Sequence, residues 1–142
     1  MIEVGQVLSL KMRFNNSGLI SVTKHPYLVI EINDEFDTVE IAQLDSLKGK
    51  EYKAARKSNK VIYNNNPDET VIDADSYIQM DNTFLLENHS ELEKYRRQED
   101  KLSEGKLKDV IHAYKEYHEK HEIDEDKQVY MSKDELTNLQ NT

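Results

Sequence analysis

The residues from Lys24 to Lys60 set the tightest limit on what this chain can fold into. Tyr27-Leu28-Val29-Ile30-Glu31-Ile32 is apolar on both faces until Glu31, which fits a central strand, and Pro26 restricts His25 to extended geometry. Asn33-Asp34-Glu35 turns the chain. Thr38-Val39-Glu40-Ile41-Ala42-Gln43-Leu44 reads as the returning strand, so the pair predicts a β-hairpin. Asp45-Ser46 ends the hairpin at the mouth of a basic loop.

Strand signals dominate the first part of the chain. Leu8, Leu10, Met12 and Phe14 alternate with Ser9, Lys11 and Arg13, the period of a half-buried strand, and Asn15-Asn16-Ser17-Gly18 follows as a turn cluster. Leu19–Thr23 is read as a short returning strand. Val61–Tyr63, Thr70–Ile72, Ser76–Met80 and Phe84–Leu86 complete the predicted strands. Helices take over near Ser90. Ser90 and Glu93 have capping-box spacing, with Leu92, Tyr95 and Leu102 at helical intervals. Ser103 opens a second helix with Leu107, Val110, Ile111 and Tyr114 on one face, and Ser132 with Glu135 opens a short last one. The expectation is a single domain over 1–142. It is an α+β fold whose small barrel or strongly curved antiparallel sheet (1–88) precedes a helical part (89–142).

No apolar run approaches the roughly 20 residues of a membrane span. Glu3 stands where a signal peptide carries basic residues, and the absence of cysteine excludes disulfides and zinc–thiolate sites. A cytoplasmic protein with no membrane partner is expected.

Charge is unevenly placed. Residues 46–60 hold six Lys/Arg against Glu51 alone, a net +5 on a chain of net −9, so the remainder carries −14. Residues 65–142 carry −10, which argues against nucleic-acid binding by the whole surface and leaves a local basic groove.

Cleavage of RNA needs a deprotonated 2′-hydroxyl, a neutralised phosphate and a protonated leaving oxygen; a base, a cation and a hydroxyl suffice, without metal or cofactor. His25 at the start of one hairpin strand and Ser46 at the end of the other fall at one edge of the sheet, with Lys24, Lys48 and Lys50 beside them. The bland account stands next to this one: a strand start, a turn residue and lysines that solvate a loop. His118 and His121 are three apart, which is not the spacing of a zinc helix, and no third ligand is evident. Asp73, Asp75 and Asp81 sit at turn positions. Both groups are read as structural, and no metal site is expected.

The order of several short stretches resembles the MazF/PemK-type toxins and the related ToxN-like ribonucleases of toxin–antitoxin systems. Gly5-Gln6-Val7 is similar to their opening strand, and Lys24-His25-Pro26-Tyr27-Leu28-Val29-Ile30 to their R-P-x-L-V-I strand. Gln43-Leu44-Asp45-Ser46, continued by Leu47-Lys48, is similar to their P-L-T-S and T-S-P-K strand end. Ser76–Asp81 resembles the strand before their closing helix, and Leu102–Leu107 a helix start near their C-terminus. The likeness spans about residues 5–115 and implies an SH3-like barrel with terminal helices. It also implies a metal-independent endoribonuclease cutting single-stranded RNA, neutralised by a cognate antitoxin of protein or RNA, and in relatives often a homodimer. On that basis His25 is the general acid/base, and Ser46 and Lys48 hold the scissile phosphate. Lys24, Lys50, Lys53, Arg56 and Lys57 follow the RNA backbone.

Two positions depart from the pattern. The family's arginine before proline is His25, and the threonine of the T-S pair is Asp45, which adds a negative charge and no hydroxyl. Asp45 motivates an alternative, a non-catalytic module of the same fold that binds RNA or an acidic partner. A third reading makes the C-terminal helices a protein-interaction platform.

Overall fold

The computed structural model describes residues 1–21 and 23–142. The predicted hairpin is its centre: β2 (His25–Asn33) and β3 (Thr38–Ser46) pair antiparallel from Tyr27↔Gln43 to Asn33↔Thr38, with a register shift between Val29 and Glu31. β1 (Val7–Leu10) lies antiparallel on the other edge of β2, from Val7↔Leu28 to Leu10↔His25. The outer edge of β3 is divided between two partners. Its first half pairs with β6 (Thr83–Glu87) and its last three residues with β5 (Ser76–Gln79), which in turn pairs with β4 (Asn59–Ile62).

Strand alternation sends successive residues to opposite faces, and both faces of this sheet are covered. One face carries Leu8, Leu10, Tyr27, Val29, Val39, Ile41 and Phe84. The other carries Val7, Leu28, Ile30, Ala42, Leu44 and Ile78. Helix α2 (Glu104–Lys120) packs on the second face through Val110 and Tyr114, with Leu107, Ile111 and Tyr117 partly buried beside them. This is the apolar stripe predicted from its sequence.

The α+β class holds, while the sheet is open where a barrel was one expectation. Among the described residues pairings run out at β1, at β4 and at a strand β7 (Gln128–Met131) beside β6, without a bond that closes the circuit. The free edge of β1 is occupied by a non-strand segment instead: Leu8 bridges Arg96, and Arg97 N–H donates to Val7 O at 2.9 Å.

Other differences have local causes. Val71 and Ile72 are buried core residues but lie in a loop, not a strand. The first helix near Ser90 is a 3-10 turn (Ser90–Tyr95), after which the chain extends along β1 and delivers Leu102 to the core. Strand β7 (Gln128–Met131), absent from the sequence reading, pairs parallel with β6 and buries Val129 and Met131. The last helix, α3 (Lys133–Gln140), begins as predicted, with Ser132 Oγ accepting from Glu135 N–H at 3.2 Å. In the expected strand 19–23, Ile20 makes an isolated bridge to Arg13, and Val22 lies outside the described residues.

Candidate functional site

The end of the β2–β3–β5 ribbon is where His25 and Ser46, two of the predicted site residues, lie. Alternation along β3 puts Ser46 on the face of Leu44 and Ala42, and Asp45 on the face of Ile41 and Val39. The same rule along β2 puts His25 on the face of Tyr27 and Val29, and Pro26 on the face of Leu28. His25 and Asp45 therefore share one face, and Ser46 and Pro26 the other. The hairpin brings His25 and Ser46 to one end of the sheet, as expected, but on opposite sides of the ribbon.

The Ser46 side is a cleft of about 210 Å³ lined by Pro26, Leu44, Asp45, Ser46, Ile72, Asp73, Ser76 and Arg97. Ser46 is exposed, whereas its strand partner Ser76 is buried and donates its hydroxyl to Ala74 O at 2.8 Å. Lys48 is exposed in the turn that follows, closed by Lys50 N–H donating to Leu47 O at 2.8 Å. Gly49 takes φ +77° there, a conformation that favours glycine.

The Asp45 side is built differently. Lys50 Nζ is 3.0 Å from both Asp45 carboxylate oxygens, and Tyr77 donates its hydroxyl to Asp45 Oδ2 at 3.2 Å. Asp45 and Tyr77 are strand partners, so they share a face. Burial, reinforced by the Asp45 carboxylate, pushes the Tyr77 hydroxyl up to about 12. The charge of Asp45 is thus offset by Lys50, one of the cations expected to follow RNA.

Helix α1 (Glu51–Ala54) and the residues after it border this side. Lys53, Arg56, Ser58, Asn59, Tyr77, Gln79 and Asp81 line a polar cleft of about 120 Å³, and Asn59 Nδ2 donates to Lys53 O at 2.6 Å. Arg56 and Lys57 are exposed, as are Lys24 before β2 and Tyr52 on α1. Lys60 leaves the basic group by pairing with Asp109 at 2.9 Å. Lys53 and Arg56 line a cleft with Tyr77, which meets Lys50 only through Asp45, while Ser46 shares its cleft with Arg97.

The remaining histidines and acids have other duties. His118 Nε2 meets Met80 O at 2.8 Å, and His121 Nδ1 meets Tyr117 O at 3.1 Å. Asp81 pairs with Lys127 at 3.0 Å, and Asp75 accepts from Asn64 N–H at 2.7 Å. Among the described residues no three His, Asp or Glu side chains gather into a group that could hold a metal ion, and no helix is long and apolar enough to cross a membrane.

Tyr77 and Arg97 were not singled out from the sequence. Tyr77 hides beside Ile78 in a strand, where an aromatic residue reads as core. Arg96-Arg97 had a signal, a basic pair inside the half of the chain that carries −10. No family model matches the chain, and no curated protein is similar to it.

Proposed function

We propose that this chain is a toxin-type, metal-independent endoribonuclease acting on single-stranded RNA at the end of the β2–β3–β5 ribbon. The observation that carries the reading is the two-sided strand end, with exposed Ser46 on one side, His25 on the other and exposed Lys48 in the turn that follows Ser46. In-line transesterification places the attacking and leaving oxygens on opposite sides of phosphorus. A phosphodiester laid across the ribbon end meets both sides at once.

In this mechanism His25 takes the 2′-hydroxyl proton as the 2′ oxygen bonds to phosphorus. The bond from phosphorus to the 5′ oxygen breaks, leaving a 2′,3′-cyclic phosphate. The 5′ oxygen takes a proton from the Lys48 ammonium; His25 then releases its proton to solvent and Lys48 regains one from it, so that no net proton is consumed. Ser46 donates its hydroxyl to a non-bridging oxygen. Lys24, Lys53, Arg56 and Lys57 hold the flanking backbone, so affinity falls with salt. The motif order adds the SH3-like fold family and a cognate antitoxin to the reading.

The Asp45–Lys50 pair favours a second reading, a module that binds RNA without cutting it, because a carboxylate occupies the family's hydroxyl position. Single-turnover cleavage of an unstructured RNA, with product ends identified, decides between them. A loss of at least about 100-fold in both His25→Ala and Ser46→Ala, with RNA binding retained, supports the enzyme. Binding without turnover in the wild type leaves the module. Cleavage unchanged in the double variant removes this mechanism.

A further inference from the structure

Among the described residues Arg97 is the one cation that lines the Ser46 cleft, and it comes from outside the basic loop. Its backbone is anchored from several directions. Its N–H donates to Val7 O at 2.9 Å, and its neighbour Arg96 bridges Leu8. Gln98 and Thr70 exchange two hydrogen bonds, and Gln6, itself buried, donates from Nε2 to Glu99 O at 2.8 Å. A segment tied at four successive residues holds the Arg97 Cα in place at the cleft while its side chain stays exposed.

Its charge is also unspent. Among the described residues no carboxylate lies within ion-pair distance of the Arg97 guanidinium, although Asp73 and Asp45 border the same cleft. Asp45 is already held by Lys50 and Tyr77. The Arg97 guanidinium and the Ser46 hydroxyl line one small cleft, and a planar guanidinium can grip a tetrahedral oxyanion there through two parallel N–H donors.

We propose that Arg97 anchors a phosphate of the RNA substrate in the Ser46 cleft, as a binding residue supplied from outside the hairpin and its loop. This rests on the ribonucleic-acid reading for the identity of the ligand, and on the cleft alone for an oxyanion. Cleaved and uncleaved RNA both present that phosphate, so the assignment is independent of turnover.

The test measures anisotropy of a labelled single-stranded RNA across a salt series for the wild type, Arg97→Ala and Arg97→Lys. Thermal melts confirm that all three fold. Arg97→Ala is expected to weaken binding about tenfold and to lower the salt slope by about one. Arg97→Lys should restore the slope but only part of the affinity. Equal affinity and slope in the wild type and Arg97→Ala overturn the assignment and leave the RNA reading standing. If the wild type binds no RNA, that reading fails, and titration with inorganic phosphate followed by amide NMR takes over. Arg97-dependent shifts at Ser46 then retain the oxyanion site, and their absence overturns it.

Discussion

Lys50 Nζ lies 3.0 Å from each carboxylate oxygen of Asp45, at the point where the hairpin gives way to the basic loop. The pair offsets an acid at the proposed phosphate site and takes one cation away from it. The two partners should therefore shift RNA binding in opposite directions. Asp45→Asn releases Lys50, and is expected to tighten binding severalfold and raise the salt slope by about one. Lys50→Met leaves Asp45 uncompensated and should weaken binding by at least as much. Anisotropy titrations at several salt concentrations check both, and shifts of the same sign would break the link between the pair and the ligand.

The hairpin was legible because its residues satisfy a single rule. Strand alternation and a polar turn specify β2 and β3, and burial follows that pattern. What sequence did not give is sidedness. His25 and Ser46 are both at strand ends, but only the register and the two core faces reveal that they part across the ribbon. The Asp45–Lys50 pair was equally hidden, since a loop charge is read as solvated until its partner is known. β7 escaped because Gln128-Val129-Tyr130-Met131 is too short to signal anything alone, and its parallel partner β6 is over forty residues earlier. With Val129, Met131 and Leu136 in the core, residues 128–140 complete the domain rather than hang from it.

Gly5 and Gly105 should respond oppositely to alanine. Gly5 has φ +96°, and a Cβ there would stand 2.8 Å from Leu107 Cδ2 and 3.2 Å from Lys101 Cβ. Its N–H donates to Val29 O and its carbonyl accepts from Leu102 N–H, both at 2.9 Å, so the backbone cannot relax freely. Gly5→Ala is expected to cost about 1–3 kcal/mol. Gly105 is in the first turn of α2 with open space around it, and Gly105→Ala should stabilise by about 0.4–1 kcal/mol. Urea unfolding of the two variants gives the signs directly.

Tyr27 is fully buried edge-on to Phe84 at 5.8 Å, and its hydroxyl has no hydrogen-bond partner among the described residues. Tyr27→Phe keeps the ring and removes the unsatisfied oxygen, so a gain of about 1 kcal/mol is expected. Burial also raises the Tyr27 hydroxyl pKa, as it does those of Tyr77 and Tyr114, the latter two with help from Asp45 and Glu40. A raised folded pKa contributes stability below the unfolded value, near 10, that is lost as pH climbs toward the folded one. Wild-type stability should thus fall steeply above about pH 10, and less steeply in Tyr27→Phe. Parallel alkaline limbs in chemical denaturation would contradict this account.

Glu69 caps α2 from across the fold, thirty-four residues before the N-cap position Ser103. Its Oε2 accepts from Ser103 N–H at 2.8 Å, its Oε1 is paired with Lys106, and its side chain is only 5% exposed. Ser103 itself makes no side-chain cap bond, so the carboxylate does what the serine was expected to do. Burial works to raise the Glu69 pKa, but Lys106 and the Ser103 amide outweigh it and hold it below the usual carboxylate range. A depressed folded pKa means that the contribution is complete above the unfolded value, about 4.3, and disappears as pH falls through the folded one. Glu69→Gln retains the shape and loses the charge, leaving Lys106 without its partner. At pH 7 it should cost about 1–3 kcal/mol, or several degrees in Tm. Because the wild type alone loses this contribution in acid, the gap between the two melting curves should narrow steadily below pH about 4. A gap that stays constant from pH 7 down to pH 3 would mean that the cap acts through shape and not through charge.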